Sequence, residues 1–291
     1  MEVQARKIEL SGWGGLRLAA DSFGSPDGPP VVLLHGGGQT RHAWGGTAAV
    51  LAREGWHALA VDQRGHGDSQ WAEDGNYAFE AFGRDVDAFA RQLSEPPVLV
   101  GASLGGIASL FAAGGLKTPA RGLILVDVAV RMEAEGVIRI VEFMTARPDG
   151  FTSLEDAAEA IAEYLPHRKR PSDLSGLAKN LRQGEDGRYR WHWDPRFMLR
   201  DEGPRSLRPE MPARLEEMAR SLEIPTLLVR GRLSDLLSEE GAQHFLDLVP
   251  HAQFADVSKA GHMVAGDRND LFTEAVVSFL HEALPLAGRP E

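Results

Sequence analysis

The stretch Val98-Leu99-Val100-Gly101-Ala102-Ser103-Leu104-Gly105-Gly106-Ile107-Ala108 constrains this chain of 291 residues more than any other. An apolar run follows Pro96-Pro97, a Gly-x-Ser-x-Gly pentapeptide follows the run, and a helix-prone segment follows the pentapeptide. Glycine has no Cβ, so Gly101 and Gly105 let a strand enter a sharp turn and a helix leave it without collision. Ser103 then stands at the tip of the turn, and the Leu104 N–H, at the start of the helix, has no intrahelical partner. A serine so placed is a nucleophile that lacks only a base. The plain alternative is a βα turn without chemistry, which a chain with 32 glycines can produce by chance.

The remaining elements decide between the two. Residues 3–10 and 16–22 read as a β-hairpin around Gly12-Trp13-Gly14-Gly15. The continuous apolar run Val31-Val32-Leu33-Leu34 fits a strand covered on both faces, and it ends in His35-Gly36-Gly37-Gly38. A helix near residues 46–54, a strand at 57–61, a helix built on Phe79, Phe82, Val86, Phe89 and Leu93, and a strand at 122–128 continue the alternation. Strands alternating with helices imply an α/β fold, a parallel sheet covered by helices on both faces. Between residues 130 and 222 the alternation stops, and helical spacing at 133–145, 154–165, 174–181 and 212–222 replaces it, with no convincing strand. The sheet pattern returns at 226–229 and 252–257, with helices at 239–248 and 270–284. The expected division is a core of residues 1–129 and 222–291 with a helical cap at 130–221.

A serine hydroxyl needs a base at neutral pH. His262, in Gly261-His262-Met263, follows the last strand and precedes the last helix, where a loop can carry its imidazole over the sheet edge. The histidine needs a carboxylate to fix its tautomer. Asp235, in Gly231-Arg232-Leu233-Ser234-Asp235, and Asp127, at the end of the preceding sheet strand, both lie at carboxyl ends of strands, where open α/β sheets place their sites. Asp235 is preferred because its loop is long enough to reach across and the chain order nucleophile, acid, histidine is the usual one. Negative charge on the attacked carbonyl needs backbone donors. Leu104 N–H is one, and Gly37 N–H is favoured over Gly36 or Gly38 as the other. His35 is expected to brace that loop.

Together these residues resemble the α/β-hydrolase superfamily. The resemblance rests on His35-Gly36-Gly37, Asp62-x-Arg64-Gly65-x-Gly67-x-Ser69, Gly101-x-Ser103-x-Gly105-Gly106, Gly231-x-x-Ser234-Asp235 and Gly261-His262, in the family's order. It implies an eight-stranded, mostly parallel sheet, a helical cap inserted after the sixth strand, and a structural role for Asp62 and His66. Serine at position 103 excludes the epoxide hydrolase and haloalkane dehalogenase branches, which carry aspartate there. Perhydrolases usually carry tryptophan where Gly37 stands and methionine where Leu104 stands. Carbon–carbon hydrolases usually place tryptophan where Met263 stands, and only Arg190 or Arg196 offers their acidic substrate an anchor.

The expected function is a serine hydrolase that cleaves a carboxylic ester of a small to medium, moderately apolar substrate through an acyl-enzyme. The alternatives are a carbon–carbon hydrolase or perhydrolase on the same residues, or a small-molecule receptor of the same fold. Trp44, Phe143, Met144, Trp191, Trp193 and Met263 are the expected substrate contacts, with Phe197 and Met198 beside them. His192 and Asp194 are expected in solvated or capping roles. No cofactor or metal is expected, and the absence of cysteine removes thiolate sites and cysteine nucleophiles. A formal net charge of −11 opposes binding to nucleic acid or an anionic membrane, so the expected partner is the substrate, with a homodimer left open. Residues 1–15 hold charges and no apolar core, which points to the cytoplasm.

Overall fold

The computed structural model describes residues 4–164, 174–199, 210–257 and 270–286. One large sheet takes β1 (Arg6–Ser11), β2 (Arg17–Phe23), β3 (Pro30–Leu34), β4 (His57–Val61), β5 (Val98–Ala102), β6 (Gly122–Val126), β9 (Thr226–Gly231) and β10 (Gln253–Val257). Its spatial order is β1-β2-β4-β3-β5-β6-β9-β10. The first two pairings are antiparallel and the others parallel, so the expected eight-stranded, mostly parallel sheet is present.

The apolar runs of the central strands follow from burial on both faces. Side chains alternate across a strand, so one run feeds two cores. Val31, Leu33, Val98, Val100, Ile124, Val126, Leu227 and Val229 pack on one face with α1 (Gly45–Arg53) and α10 (Asp270–Ala283). Val32, Leu34, Leu99, Leu123, Leu125 and Leu228 pack on the other with α2 (Phe79–Ala90), α3 (Leu104–Leu110), α8 (Met211–Arg220) and α9 (Glu239–Leu248). Among the described residues no helix is long and apolar enough to cross a membrane.

Among the described residues, the segment between β6 and β9 adds no strand to this sheet. It holds α4 (Ala134–Thr145), α5 (Leu154–Tyr164), α6 (Ser175–Ala178) and α7 (Arg196–Leu199), and α8 returns the chain to the core. It also holds a two-stranded antiparallel hairpin, β7 (Leu181–Gln183) and β8 (Tyr189–Trp191), where no strand is expected from the sequence. Three residues per strand are too few for alternation to register as a pattern. The helix expected over residues 174–181 is correspondingly shortened to α6.

Candidate active site

Ser103 has φ +47° and ψ −114°, a left-handed conformation that a residue with a Cβ adopts only when its surroundings hold it there. Its own N–H donates to the Val126 carbonyl of β6 (3.1 Å), and α3 starts at the next residue. A Cβ on Gly101 would lie 2.2 Å from the Gly105 carbonyl oxygen, and one on Gly105 would lie 2.3 Å from that of Leu34. Both positions therefore exclude any side chain. Leu104, as the first residue of α3, presents an N–H with no intrahelical acceptor.

The loop after β3 supplies a second donor. Gly36 N–H is spent on the Gln39 side chain (2.9 Å), and Gly38 N–H on His66 Nε2 (3.2 Å). The Gly36 carbonyl accepts from His35 Nδ1 (2.8 Å) and from the Gln39 N–H (3.1 Å). A trans peptide directs its N–H opposite its carbonyl, so those two bonds turn the Gly37 N–H away from them. Gly37 lines the same cleft as Ser103 and Leu104, and among the described residues its N–H has no acceptor. Of the three glycines, only Gly37 keeps a free donor among the described residues.

Three buried histidines lie under this loop. His35 Nε2 accepts from Gln63 N–H (3.0 Å), so its proton sits on Nδ1. His66 donates from Nδ1 to the Arg64 carbonyl (2.9 Å) while its Nε2 serves Gly38. Burial lowers the pKa of His35 to about 4 and that of His66 to about 3, because a cation loses more hydration there than a neutral ring. His192, only 1% exposed, is lowered for the same reason. The expected solvated role for His192 is therefore wrong. Asp194 does cap α7, accepting from Arg196 N–H (2.9 Å), and it also accepts from the Tyr77 hydroxyl (2.6 Å).

Above Ser103 opens an apolar cleft. Phe143, Met144, Trp191 and Trp193 line it, together with Phe197 and Met198. The rings of Trp191 and Trp193 stack at 4.9 Å and 11°. Those of Phe143 and Tyr164 stack at 4.3 Å and 18°. No charged side chain lines the cleft among the described residues. Arg190 is paired with Asp186 (2.6 Å) and Arg196 with Asp194 (2.7 Å), so neither is the acid anchor that a carbon–carbon hydrolase would need. Trp44, expected as a substrate contact, does not line the cleft. Its side chain is wholly buried in the core with Phe272 and Val276, on the sheet face remote from the cleft.

The two candidate carboxylates differ sharply. Asp127 follows β6 directly, has φ +52° and is 1% exposed. Its Oδ1 accepts from Gly231 N–H (3.1 Å) and its Oδ2 from the Ser234 hydroxyl (2.7 Å). Asp235 instead pairs with Arg139 of α4 (2.7 Å), and its side chain is 36% exposed. Together with burial, the Asp235 charge pushes the Tyr164 hydroxyl at the cleft up to about 12. His262 and Met263 lie outside the described residues.

Residues 29–268 match the family described as the alpha/beta hydrolase fold. The chain belongs to the α/β-hydrolase fold family. It is 30% identical over 285 residues to the esterase Rv0045c of Mycobacterium tuberculosis, covering 94% of this chain and 86% of that protein. It is 29% identical over 260 residues to a 3-hydroxybutyrate-oligomer hydrolase of Cupriavidus necator, covering 84% and 87%. In three dimensions this α/β-hydrolase is similar to E-2-(acetamidomethylene)succinate hydrolase, with a TM-score of 0.81 at 22% identity over 95% of this chain and 99% of that one. At that identity the likeness speaks for the fold alone.

Proposed function

We propose that this α/β-hydrolase is a serine hydrolase that cleaves carboxylic esters with a neutral, apolar acyl part, through an acyl-enzyme. The carrying observation is Ser103 in a left-handed turn on the floor of a cleft that no charged side chain lines among the described residues, beside two N–H groups, Gly37 and Leu104, that have no acceptor among those residues. Ser103 attacks the acyl carbonyl, and the two N–H groups hold the oxyanion. His262, assigned from the sequence, takes the serine proton and passes it to the leaving alcohol. Water activated by the same base then releases the acid.

Asp127 is proposed as the partner of the base in preference to Asp235. A triad acid must stay ionised and fixed, and Asp127 is buried with two donors on its oxygens, whereas Asp235 is engaged by a cap arginine. The Gly231-x-x-Ser234-Asp235 stretch then serves to hold the acid, through its first and fourth residues. The esterase relative at 30% identity supports ester chemistry, and the apolar lining that the described residues give the cleft supports an apolar acyl group. A cytoplasmic setting is proposed on the chain's lack of cysteine and its acidic balance.

The test combines a fluorophosphonate with a panel of p-nitrophenyl esters. One adduct on Ser103, absent in Ser103→Ala, and turnover that rises as an imidazole deprotonates around pH 6–7 are expected. Folded protein that takes no adduct and turns over no ester would overturn the reading.

A further inference from the structure

His192 belongs to the insertion but its two ring nitrogens are spent on the core. It follows β8 between Trp191 and Trp193, whose stacked rings roof the cleft, and strand alternation turns it to the opposite side. Its Nδ1 accepts from the Gly67 N–H (2.7 Å), which leaves the proton on Nε2. From Nε2 it donates to the Gly38 carbonyl (3.2 Å).

That carbonyl belongs to the peptide joining Gly38 to Gln39. The N–H of the same peptide donates to the Gly36 carbonyl (3.1 Å), which belongs to the peptide carrying the Gly37 N–H. His192 therefore holds one peptide plane, and that plane holds the next. Gly38 sits at φ +75°, where glycine resists rotation least, so the plane needs an outside hold. His66 grips the N–H side of Gly38 from the core, and His192 grips the carbonyl side from the insertion.

We propose that His192 is a positioning residue for the oxyanion hole, so that seating of the insertion and alignment of the Gly37 N–H are one event. The proposal rests on the hydrolase reading above. Removing an oxyanion donor outright costs about 10²–10³ in kcat, and tilting one should cost about tenfold. Because the developing charge exists only in the transition state, the loss falls on kcat with KM unchanged.

Two near-isosteric variants of the full chain separate this from general packing. His192→Gln can place an N–H where Nε2 stands and gives up the acceptor for Gly67. His192→Asn can place an acceptor where Nδ1 stands and gives up the donor to Gly38. Steady-state turnover of p-nitrophenyl butyrate and hydrogen exchange of a peptide covering residues 36–40 are read for both. His192→Asn is expected to lose about tenfold in kcat, hold KM within about twofold and exchange faster in that peptide, while His192→Gln stays within about threefold of wild type. Equal kcat in the two variants, or unchanged loop exchange in folded His192→Asn, overturns the proposal. If a variant does not fold, the wild-type imidazole tautomer read by ¹⁵N NMR decides: Nε2–H is expected, and Nδ1–H overturns it. Absence of wild-type turnover and of a Ser103 adduct would instead count against the hydrolase reading, and the exchange and tautomer results would still stand.

Discussion

Lowering the pH from 7.5 to 4.5 should destabilise this protein by several kcal/mol through three side chains. His35, His66 and His192 each accept a backbone N–H, from Gln63 (3.0 Å), Gly38 (3.2 Å) and Gly67 (2.7 Å). Their ring centroids stand 5.2 Å apart for His35 and His66, and 5.8 Å apart for His66 and His192. A proton added to any accepting nitrogen faces donor to donor, and each added charge repels the other two. Asp62 and Asp194 favour the charged form of His66, but burial outweighs them. The unfolded chain therefore takes up protons below about pH 6.5 that the folded chain refuses until about pH 4 for His35 and about 3 for His66. A base with a depressed folded pKa leaves stability intact above the unfolded pKa and removes it as pH falls toward the folded one. His35 and His66 alone give a slope that approaches about 2.7 kcal/mol per pH unit once the unfolded rings are mostly charged, and about 5 kcal/mol between pH 7.5 and 4.5, and His192 adds to it in the same direction. That reaches the lower end of the net stability of an ordinary domain, about 5–15 kcal/mol. Guanidinium unfolding followed by circular dichroism at half-unit steps from pH 7 to 5 measures the slope before most carboxylates titrate. A slope at or below about 1.4 kcal/mol per pH unit between pH 6 and 5, where the unfolded rings are mostly charged, would refute the argument that these rings are buried and neutral.

Asp127→Asn should lower kcat by about a thousandfold or more, while Asp235→Asn stays within about fivefold; the opposite ranking in ester kinetics returns the acid role to Asp235. Gly38→Ala should cost about 1–3 kcal/mol, because φ is +75° and the new Cβ would meet Met144 at 3.1 Å and Trp193 at 3.2 Å. Gly37→Ala, whose Cβ would meet Phe197 no closer than 3.6 Å, should cost under about 1 kcal/mol, and denaturant unfolding of the pair checks the order. Trp44→Phe should leave KM for butyrate and hexanoate esters within about twofold, since the ring never reaches the cleft; a larger change would make it a substrate contact after all.

The turn at Ser103 was legible in the sequence because its geometry demands glycine, and glycine is visible in a sequence. The glycine-rich loop after β3 is visible for a related reason, and the proposal of Gly37 over Gly36 and Gly38 gains a physical basis only when the acceptors of the other two are seen. The carboxylates were not legible. Asp127 and Asp235 both follow strands, and spacing does not reveal that Ser234 and Gly231 turn their donors back onto Asp127. Trp44 lies close to the glycine loop in sequence, yet the helical turn that carries it directs the ring into the opposite core. The role of His192 was hidden because the hairpin that orients it is too short to show a period.

The buried cluster that begins on the sheet at Leu34 and Leu125 runs without a break into Met144, Trp193, Phe197 and Met198 of the insertion. The roof over Ser103 is therefore part of the protein's foundation, and a graft of the insertion onto a related core would have to match Gly38, Gly67 and Tyr77 as well as fill the cleft. The side wall is different. Val137, Ile140 and Val141 of α4 and Ile161 of α5 line the same cleft but are only half-buried, so exchanging them costs little stability. Selection for a new substrate, natural or in the laboratory, has cheap positions on the wall and expensive ones overhead, and the chemistry at Ser103 can stay fixed while the acyl group changes.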